Sequence, residues 1–255
     1  MHRTLLCIHG FPHDGSFWRG QEEALAGAAT VMAPDLRGFG HDRAPLPTAM
    51  SMEAYATDLH DLLDAAGRER VVLCGLSMGG YVALSFIDQW PERVEGLILC
   101  NTRATADGPE GRTAREQTAR DAEDKGAAVI ARAMAPKLLS ERTRMLHPEI
   151  CSRMERMMAE QRPEAIAAAA RGMAERPDRS ELLPRIEVPT LIITGSDDAL
   201  MPLETSEALH RAIPGSRMMV IQGAGHLSPV EAPALFNEAV ELFLDELEDL
   251  HRPMR

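Results

Sequence analysis

The chain has 255 residues, of which 45% are hydrophobic and 26% are charged, and its formal net charge is -12 at pH 7. This composition is typical of a soluble globular protein and excludes a largely disordered chain. The acidic balance argues against nucleic acid or an anionic membrane surface as the main partner, because both require a basic face. The length predicts one large domain that carries an insertion.

The sequence shows no pattern of a targeting segment or of disulfides. The apolar run at residues 4–8 is too short for a signal peptide, and no run of about 18 apolar residues occurs elsewhere. Cys7, Cys74 and Cys100 lie inside apolar runs that are typical of strands, so we expect buried thiols there. These features predict a cytoplasmic protein that does not insert into a membrane.

Short apolar runs alternate with longer helical patterns along most of the chain. Strands that are apolar throughout and are separated by helices indicate a parallel sheet covered on both faces. The predicted fold class is therefore α/β, with a doubly wound, mostly parallel sheet. The predicted strands are 4–9, 30–34, 71–75, 96–101, 190–195 and 217–222. The helices predicted between and after them are 51–66, 78–89, 203–212 and 232–250.

This alternation stops between residues 102 and 187. The segment is rich in Ala, Arg, Glu and Met and shows no strand pattern. It predicts a helical cap insertion at 103–186 between two parts of an α/β core, 1–102 and 187–255. Its helix-like pieces are 111–124, 127–135, 148–160 and 163–175. We expect most methionines of the insertion to pack against the core, although such side chains also suit an adaptable pocket.

A serine between two glycines follows the third predicted strand. If residues 71–74 form a buried strand and a helix begins at Met78, the backbone reverses at Ser77. Gly75 and Gly79 then relieve the crowding at the turn and leave the serine oxygen exposed. An ordinary strand-to-helix connection is the alternative, because Gly-x-Ser-x-Gly arises by chance in roughly one chain in ten of this length.

A carboxylate and a histidine follow the fifth and sixth predicted strands, just as the serine follows the third predicted strand. Asp197 and Asp198 come after the fifth predicted strand and His226 after the sixth. The carboxyl ends of parallel strands share one edge of a sheet, where ligands bind. Nucleophilic acyl transfer requires this set, because a base must take the hydroxyl proton and a carboxylate must orient the base. The side chains of neighbouring residues that leave a strand point in opposite directions, so we expect only one of the two aspartates to orient the histidine.

Acyl transfer also requires donors for the oxyanion that develops on the carbonyl oxygen. The loop at residues 9–12 follows the first predicted strand, and Met78 begins the helix after the serine. We expect the backbone N–H groups of Phe11 and Met78 to form this oxyanion hole. We expect His9 to pack beneath the loop, with a place in the site as the alternative.

Five stretches of the sequence resemble the α/β-hydrolase superfamily nearly from end to end. They are Gly75-Leu76-Ser77-Met78-Gly79-Gly80, His9-Gly10, Asp35-Leu36-Arg37-Gly38-Phe39-Gly40, Gly195-Ser196-Asp197-Asp198-Ala199-Leu200-Met201-Pro202 and Gly223-Ala224-Gly225-His226. The order serine, aspartate, histidine matches the family, whose spacing selects Asp198. The residues around His226 and at 101–104 are similar to the 3-oxoadipate enol-lactonase-like and carboxylesterase-like groups. Family members usually begin with an extra hairpin, and we expect it to be missing because eight residues precede His9.

The resemblance implies a cofactor-free serine hydrolase that cleaves a small carboxylic ester or lactone through an acyl-enzyme intermediate. Ser77 would be the nucleophile, His226 the general base and Asp198 the residue that orients it. We expect no metal, because no His-x-His-x-Asp-His or His-Glu-x-x-His cluster occurs. The residues expected to contact the substrate are Gly10, Tyr81, Arg103 and Leu227.

Other interpretations of the same pattern stay open. A C–C bond hydrolase or a perhydrolase would use the same three side chains. A small-molecule receptor with this fold and low turnover would carry them as well. For Arg103, a solvated side chain is the alternative to a pair with a substrate carboxylate. The sequence gives no indication of the oligomeric state.

Overall fold

A computed structural model describes residues 3–250, and these form one six-stranded sheet in the order β2-β1-β3-β4-β5-β6. Every neighbouring pair of strands is parallel. The strands are β1 (Arg3–Ile8), β2 (Ala29–Met32), β3 (Val71–Leu76), β4 (Val94–Cys100), β5 (Thr190–Gly195) and β6 (Arg217–Ile221). The predicted α/β fold class is confirmed. Residues 1–2 and 251–255, which the predicted core includes, lie outside the described residues.

The apolar character of the strands follows from their position in the middle layer of the fold. All six residues of β3 are buried, as expected for a strand that is covered on both faces. Val72 belongs to one buried apolar cluster and its neighbour Leu73 to another. Successive side chains of a strand point to opposite faces, so the two clusters lie on the two sides of the sheet. Within residues 3–250, no strand pairs with the outer side of β2.

Helices connect the strands and cover the sheet. They are α1 (Arg19–Ala24), α2 (Met52–Ala65), α3 (Met78–Gln89), α4 (Pro109–Lys125), α5 (Ala127–Leu138), α6 (Glu141–Leu146), α7 (Pro148–Ala159), α8 (Pro163–Glu175), α9 (Leu203–Ala212), α10 (Ser228–Glu231) and α11 (Pro233–Leu250). The sequence pattern missed α1, α6 and α10, because helices of six or four residues show too few apolar positions to define a period. Within residues 3–250, no helix combines the length and apolar character that a membrane span requires.

Five helices, α4 to α8, occupy the stretch between β4 and β5 where the insertion was predicted. Helix α4 packs along α8, and α5 packs along α7. Met154, Met158 and Met173 are buried in this region, whereas Met145 is 73% exposed. Core packing is therefore confirmed for three methionines of the insertion. The boundaries of the cap and of the two core segments stay a prediction.

Candidate active site

The turn between β3 and α3 holds Ser77 in a backbone conformation that few residues adopt. Its φ is 53° and its ψ is -113°. A Cβ atom on Gly75 would lie 2.4 Å from the carbonyl oxygen of Gly79, and one on Gly79 would lie 2.2 Å from the carbonyl oxygen of Ile8. The predicted role of both glycines is therefore confirmed, because a larger residue at either position would force the helix away from the sheet.

Hydrogen bonds from β4 and the loop after it fix the backbone of this serine on both sides. The Ser77 N–H donates to the carbonyl oxygen of Cys100 at 2.9 Å. The Thr102 hydroxyl donates to the carbonyl oxygen of Ser77 at 2.7 Å. The serine is also the residue before the first turn of α3, so its side chain stands at the positive end of a helix of 12 residues.

His226 and Asp198 form a buried hydrogen-bonded pair. Nδ1 of His226 lies 2.8 Å from Oδ2 of Asp198. The N–H groups of Leu200 and Met201 donate to Oδ1 of Asp198 at 2.8 and 2.9 Å. Asp197 is exposed and accepts a hydrogen bond from the hydroxyl of Ser196 instead. Of the two neighbouring aspartates, the fold thus brings Asp198 to the histidine.

The surroundings of Asp198 stabilise its ionised form. Burial raises the pKa of this carboxyl, but the charge and hydrogen bond of His226, with the donors from Met201 and Asn101, outweigh it and hold the pKa below 3.8. An ionised carboxylate only accepts hydrogen bonds, so Nδ1 of His226 is the donor. With Nδ1 donating to Asp198, Nε2 is the ring nitrogen of His226 that is left to accept a proton.

Ser77 and His226 line one cavity with an accessible volume of about 280 Å³. Phe11 and Arg103 line it too, whereas Gly10, Tyr81 and Leu227 are not among its lining residues. Most of the remaining wall is apolar. It includes Met134, Leu138, Met173, Leu200 and Met201. A cavity of this size and character suits a small ligand with an apolar part.

The substrate contacts expected of Gly10, Tyr81 and Leu227 stay a prediction. Leu227 is buried in one of the two apolar clusters. Tyr81 is also buried, and the guanidinium of Arg176 lies 4.1 Å from the centre of its ring. Gly10 lies close to the serine, since a Cβ atom on it would lie 3.4 Å from Cβ of Ser77. All three lie outside the set of residues that line the cavity.

One predicted oxyanion donor, Met78, follows the serine in the chain, and the other, Phe11, lines the same cavity. Met78 is the first residue of α3, and the N–H groups of a helix's first turn have no acceptor within the helix. Phe11 reaches the same cavity from the loop after β1. Their role as donors stays a prediction.

The matching family model describes the α/β hydrolase fold and spans residues 3–233. The chain belongs to the α/β-hydrolase family. The predicted resemblance is thus confirmed at the level of the superfamily.

Relatives of this α/β-hydrolase include esterases and lactonases. The 3-oxoadipate enol-lactonase 2 of Acinetobacter baylyi is 30% identical over 226 residues, which are 89% of this chain and 82% of that protein. A malate-bound structure of a thermophilic esterase from Thermogutta terrifontis is 43% identical with a TM-score of 0.94, over 96% of this chain and 90% of that chain. The enol-lactonase of Burkholderia xenovorans LB400 is 27% identical with a TM-score of 0.89, over 96% and 92% of the two chains.

His9 supports the loop of the α/β-hydrolase from below, as predicted. It is fully buried, its Nε2 accepts the N–H of Leu36 at 3.0 Å, and its Nδ1 donates to the carbonyl oxygen of Gly10 at 2.9 Å. Burial lowers the pKa of His9. Burial, together with the charges of His9 and His226, lowers the pKa of His13 to about 3. Both side chains are therefore neutral near pH 7.

Asn101 is a site residue to which sequence reasoning gave no role. Its amide nitrogen donates to Oδ2 of Asp198 at 2.8 Å and to the carbonyl oxygen of Gly225 at 3.3 Å. Its amide oxygen accepts the hydroxyl of Ser228 at 2.7 Å. Its φ of 46° suits an asparagine better than most residues. Asn101 therefore ties the end of β4 to both the aspartate and the histidine loop.

Glu231 holds the backbone around His226, and sequence reasoning missed this role as well. Its Oε1 accepts the N–H groups of Gly225 and Leu227 at 3.0 and 3.1 Å. Its Oε2 accepts the N–H of Ser140, from the insertion, at 2.9 Å. The N–H of His226 itself donates to the carbonyl oxygen of Leu138 at 3.0 Å. The position of the histidine thus depends on contacts with the insertion.

Replacing Gly75 with alanine tests the tight turn. We expect Gly75→Ala to lower the free energy of unfolding by more than about 2 kcal/mol, because the added carbon overlaps the backbone of Gly79. Gly20→Ala in α1 is the control, since nothing lies within 4 Å of the added carbon. Urea denaturation measures both. Equal stability of the two variants would contradict the packing described for the turn.

The lowered pKa of Asp198 predicts a pH-dependent stability difference. Asp198→Asn should be less stable than the wild type at pH 7, by about 1–3 kcal/mol, because a buried charged acceptor is lost. The ionised carboxylate contributes fully to the stability above pH 3.8, which is the ordinary pKa of the group. This contribution disappears as the pH falls through the lower pKa of the folded state. The gap between the two proteins should therefore narrow below about pH 4. Urea unfolding across this pH range measures the stability difference, and Asp197→Asn is the exposed control. A stability difference that widens in acid would refute the lowered pKa of Asp198.

Proposed function

We propose that the chain is a cofactor-free serine hydrolase that cleaves a small carboxylic ester or lactone through an acyl-enzyme intermediate. One observation carries the proposal: His226, which is hydrogen-bonded to Asp198, lines the same cavity as Ser77. Family membership supports a hydrolase, and the esterase and enol-lactonase relatives support an ester or lactone as the substrate.

In the first half of the proposed reaction, the hydroxyl oxygen of Ser77 attacks the carbonyl carbon of the substrate. Nε2 of His226 takes the hydroxyl proton, and Asp198 stabilises the imidazolium that forms. The negative charge moves to the carbonyl oxygen, where the N–H groups of Phe11 and Met78 stabilise it. As the tetrahedral intermediate collapses, His226 gives the proton to the leaving alcohol oxygen, and the acyl group stays on Ser77.

Water completes the reaction in the second half. His226 takes a proton from the water, whose oxygen attacks the acyl carbon and forms a second tetrahedral intermediate. The bond to Ser77 then breaks, and the serine oxygen recovers a proton from His226. For a lactone, the leaving oxygen belongs to the same molecule as the acyl group, so one hydroxy acid is released.

Ser77→Ala tests this mechanism. We expect the variant to keep its fold and to lose turnover of p-nitrophenyl esters and small lactones by at least about 10³-fold, because no nucleophile remains. The exposed Ser152→Ala in α7 should retain wild-type activity. A fluorophosphonate should label the wild-type protein once, at Ser77. The assay is spectrophotometric for the aryl esters and titrimetric for the lactones.

Two outcomes would reject the proposal. Turnover that persists in Ser77→Ala would exclude the serine as nucleophile. Ligand binding without turnover, combined with a Ser77 that resists the fluorophosphonate, would instead indicate a small-molecule receptor with this fold.

A further inference from the structure

A cluster of arginines around one carboxylate forms part of the cavity wall that Ser77 faces. Asp107 is paired with Arg103, and it accepts hydrogen bonds from Nε of Arg115 at 3.2 Å and from Nη2 of Arg176 at 3.0 Å. The side chain of Asp107 is 2% exposed. Three guanidinium groups around one carboxylate leave a surplus of positive charge at this point.

One of the three arginines is sufficient to neutralise Asp107. The side chain of Arg176 is also 2% exposed, and its guanidinium lies over the ring of Tyr81. Its Nη1 donates to the carbonyl oxygen of Met173 at 2.7 Å, and its Nη2 donates to that of Thr105 at 2.9 Å. Arg176 and Asp107 thus form a buried ion pair, and of the two only Asp107 belongs to the described cavity wall.

Arg103 and Arg115 are the surplus cations, and both line the cavity. Their side chains are 31% and 24% exposed. Nε of Arg103 is buried and has no hydrogen-bond partner within residues 3–250. In the part of the cavity wall that the structure describes, Asp107 is the one carboxylate. Guanidinium groups with free donors in a partly dry cavity attract a carboxylate more strongly than the same groups in water.

We propose that Arg103 and Arg115 form a binding site for a carboxylate of the substrate, so that this enzyme prefers esters or lactones that carry a free carboxylate. The inference rests on the proposed function, since it names the substrate class of the same cavity. Ser77 and the two arginines share the wall of a small cavity, so the scissile carbonyl and the carboxylate belong to one small molecule. The apolar side chains of Met134, Leu138 and Met173 contact the carbon chain between them.

Asp107 keeps this site ready for the substrate. Burial raises the pKa of its carboxyl, but the hydrogen bond and charge of Arg176, followed by the charge of Arg115, lower that pKa to about 2. The carboxylate is therefore ionised at neutral pH and holds the two cavity arginines in place. A second carboxylate reduces the mutual repulsion of the three cations. Arginine suits this task better than lysine, because its planar group presents several donors to two acceptors at once.

The test compares two substrates that differ in one group. Monomethyl glutarate carries a carboxylate where methyl pentanoate carries a methyl group, and both present the same ester to Ser77. We expect the wild type to show a kcat/KM at least about tenfold higher for the charged ester. Arg103→Gln and Arg115→Gln should lower this ratio toward one, mainly by raising KM for the charged ester. Arg120→Gln is the matched control, because Arg120 is an exposed arginine on α4, the helix that also carries Arg115. It should keep the wild-type ratio.

A second variant and a binding measurement make the result independent of folding defects and of turnover. Arg115→Lys retains the charge and should show an intermediate ratio. Glutarate should bind the wild type in calorimetry and should bind Arg115→Gln more weakly, with thermal unfolding used to verify that each variant is folded. Equal kcat/KM for the two esters would overturn the carboxylate site, and so would the absence of glutarate binding.

The outcomes separate this inference from the proposed function. Turnover of both esters that depends on Ser77 but shows no preference for the charged one overturns the carboxylate site and leaves the serine hydrolase intact. Absence of turnover with either ester, combined with glutarate binding that Arg115→Gln weakens, supports the carboxylate site and rejects ester hydrolysis as its function.

Discussion

The close packing of the turn at Ser77 is the constraint on which the rest of the site depends. Gly75 and Gly79 bring α3 so close to β3 and β1 that a single added carbon atom would overlap the backbone. The strained serine backbone costs about 1–3 kcal/mol, and hydrogen bonds to Cys100 and Thr102 hold it in place. The proposed nucleophile and the N–H of Met78 therefore belong to one rigid unit. Their relative position is set by the sheet and not by a mobile loop.

The histidine has a different kind of support. Its loop is held by Glu231 from its own segment and by Leu138 and Ser140 from the insertion. The insertion thus does more than cover the cavity, because it supplies backbone groups that fix the proposed base. A displacement of the stretch around Leu138 would change the environment of His226 while leaving Ser77 in place. Variation in the insertion is therefore coupled to the position of the base as well as to the shape of the pocket.

The sequence predicted those features that local patterns encode. Apolar periodicity placed the six strands of the described residues, and the spacing of glycines placed the turn at Ser77. Asn101, Glu231 and the cluster at Asp107 were missed, because each has a partner that is distant in sequence: Asn101 and Asp198 are 97 residues apart, Glu231 and Ser140 are 91 apart, and Asp107 and Arg176 are 69 apart. No local pattern identifies such partners. The contact between Tyr81 and Arg176, whose guanidinium lies over the tyrosine ring, was missed for the same reason.

The proposed carboxylate site and the chain as a whole carry charge of opposite sign. The net charge of -12 repels an anion at long range, but counterions screen this repulsion beyond about 8 Å at physiological ionic strength. Inside the cavity the nearby charges dominate, and there the cations outnumber the carboxylates. Asp107 makes this arrangement possible, because three guanidinium groups without a counterion would repel one another and separate. The buried carboxylate therefore holds the arginines at fixed positions, so that a ligand meets donors that need little rearrangement.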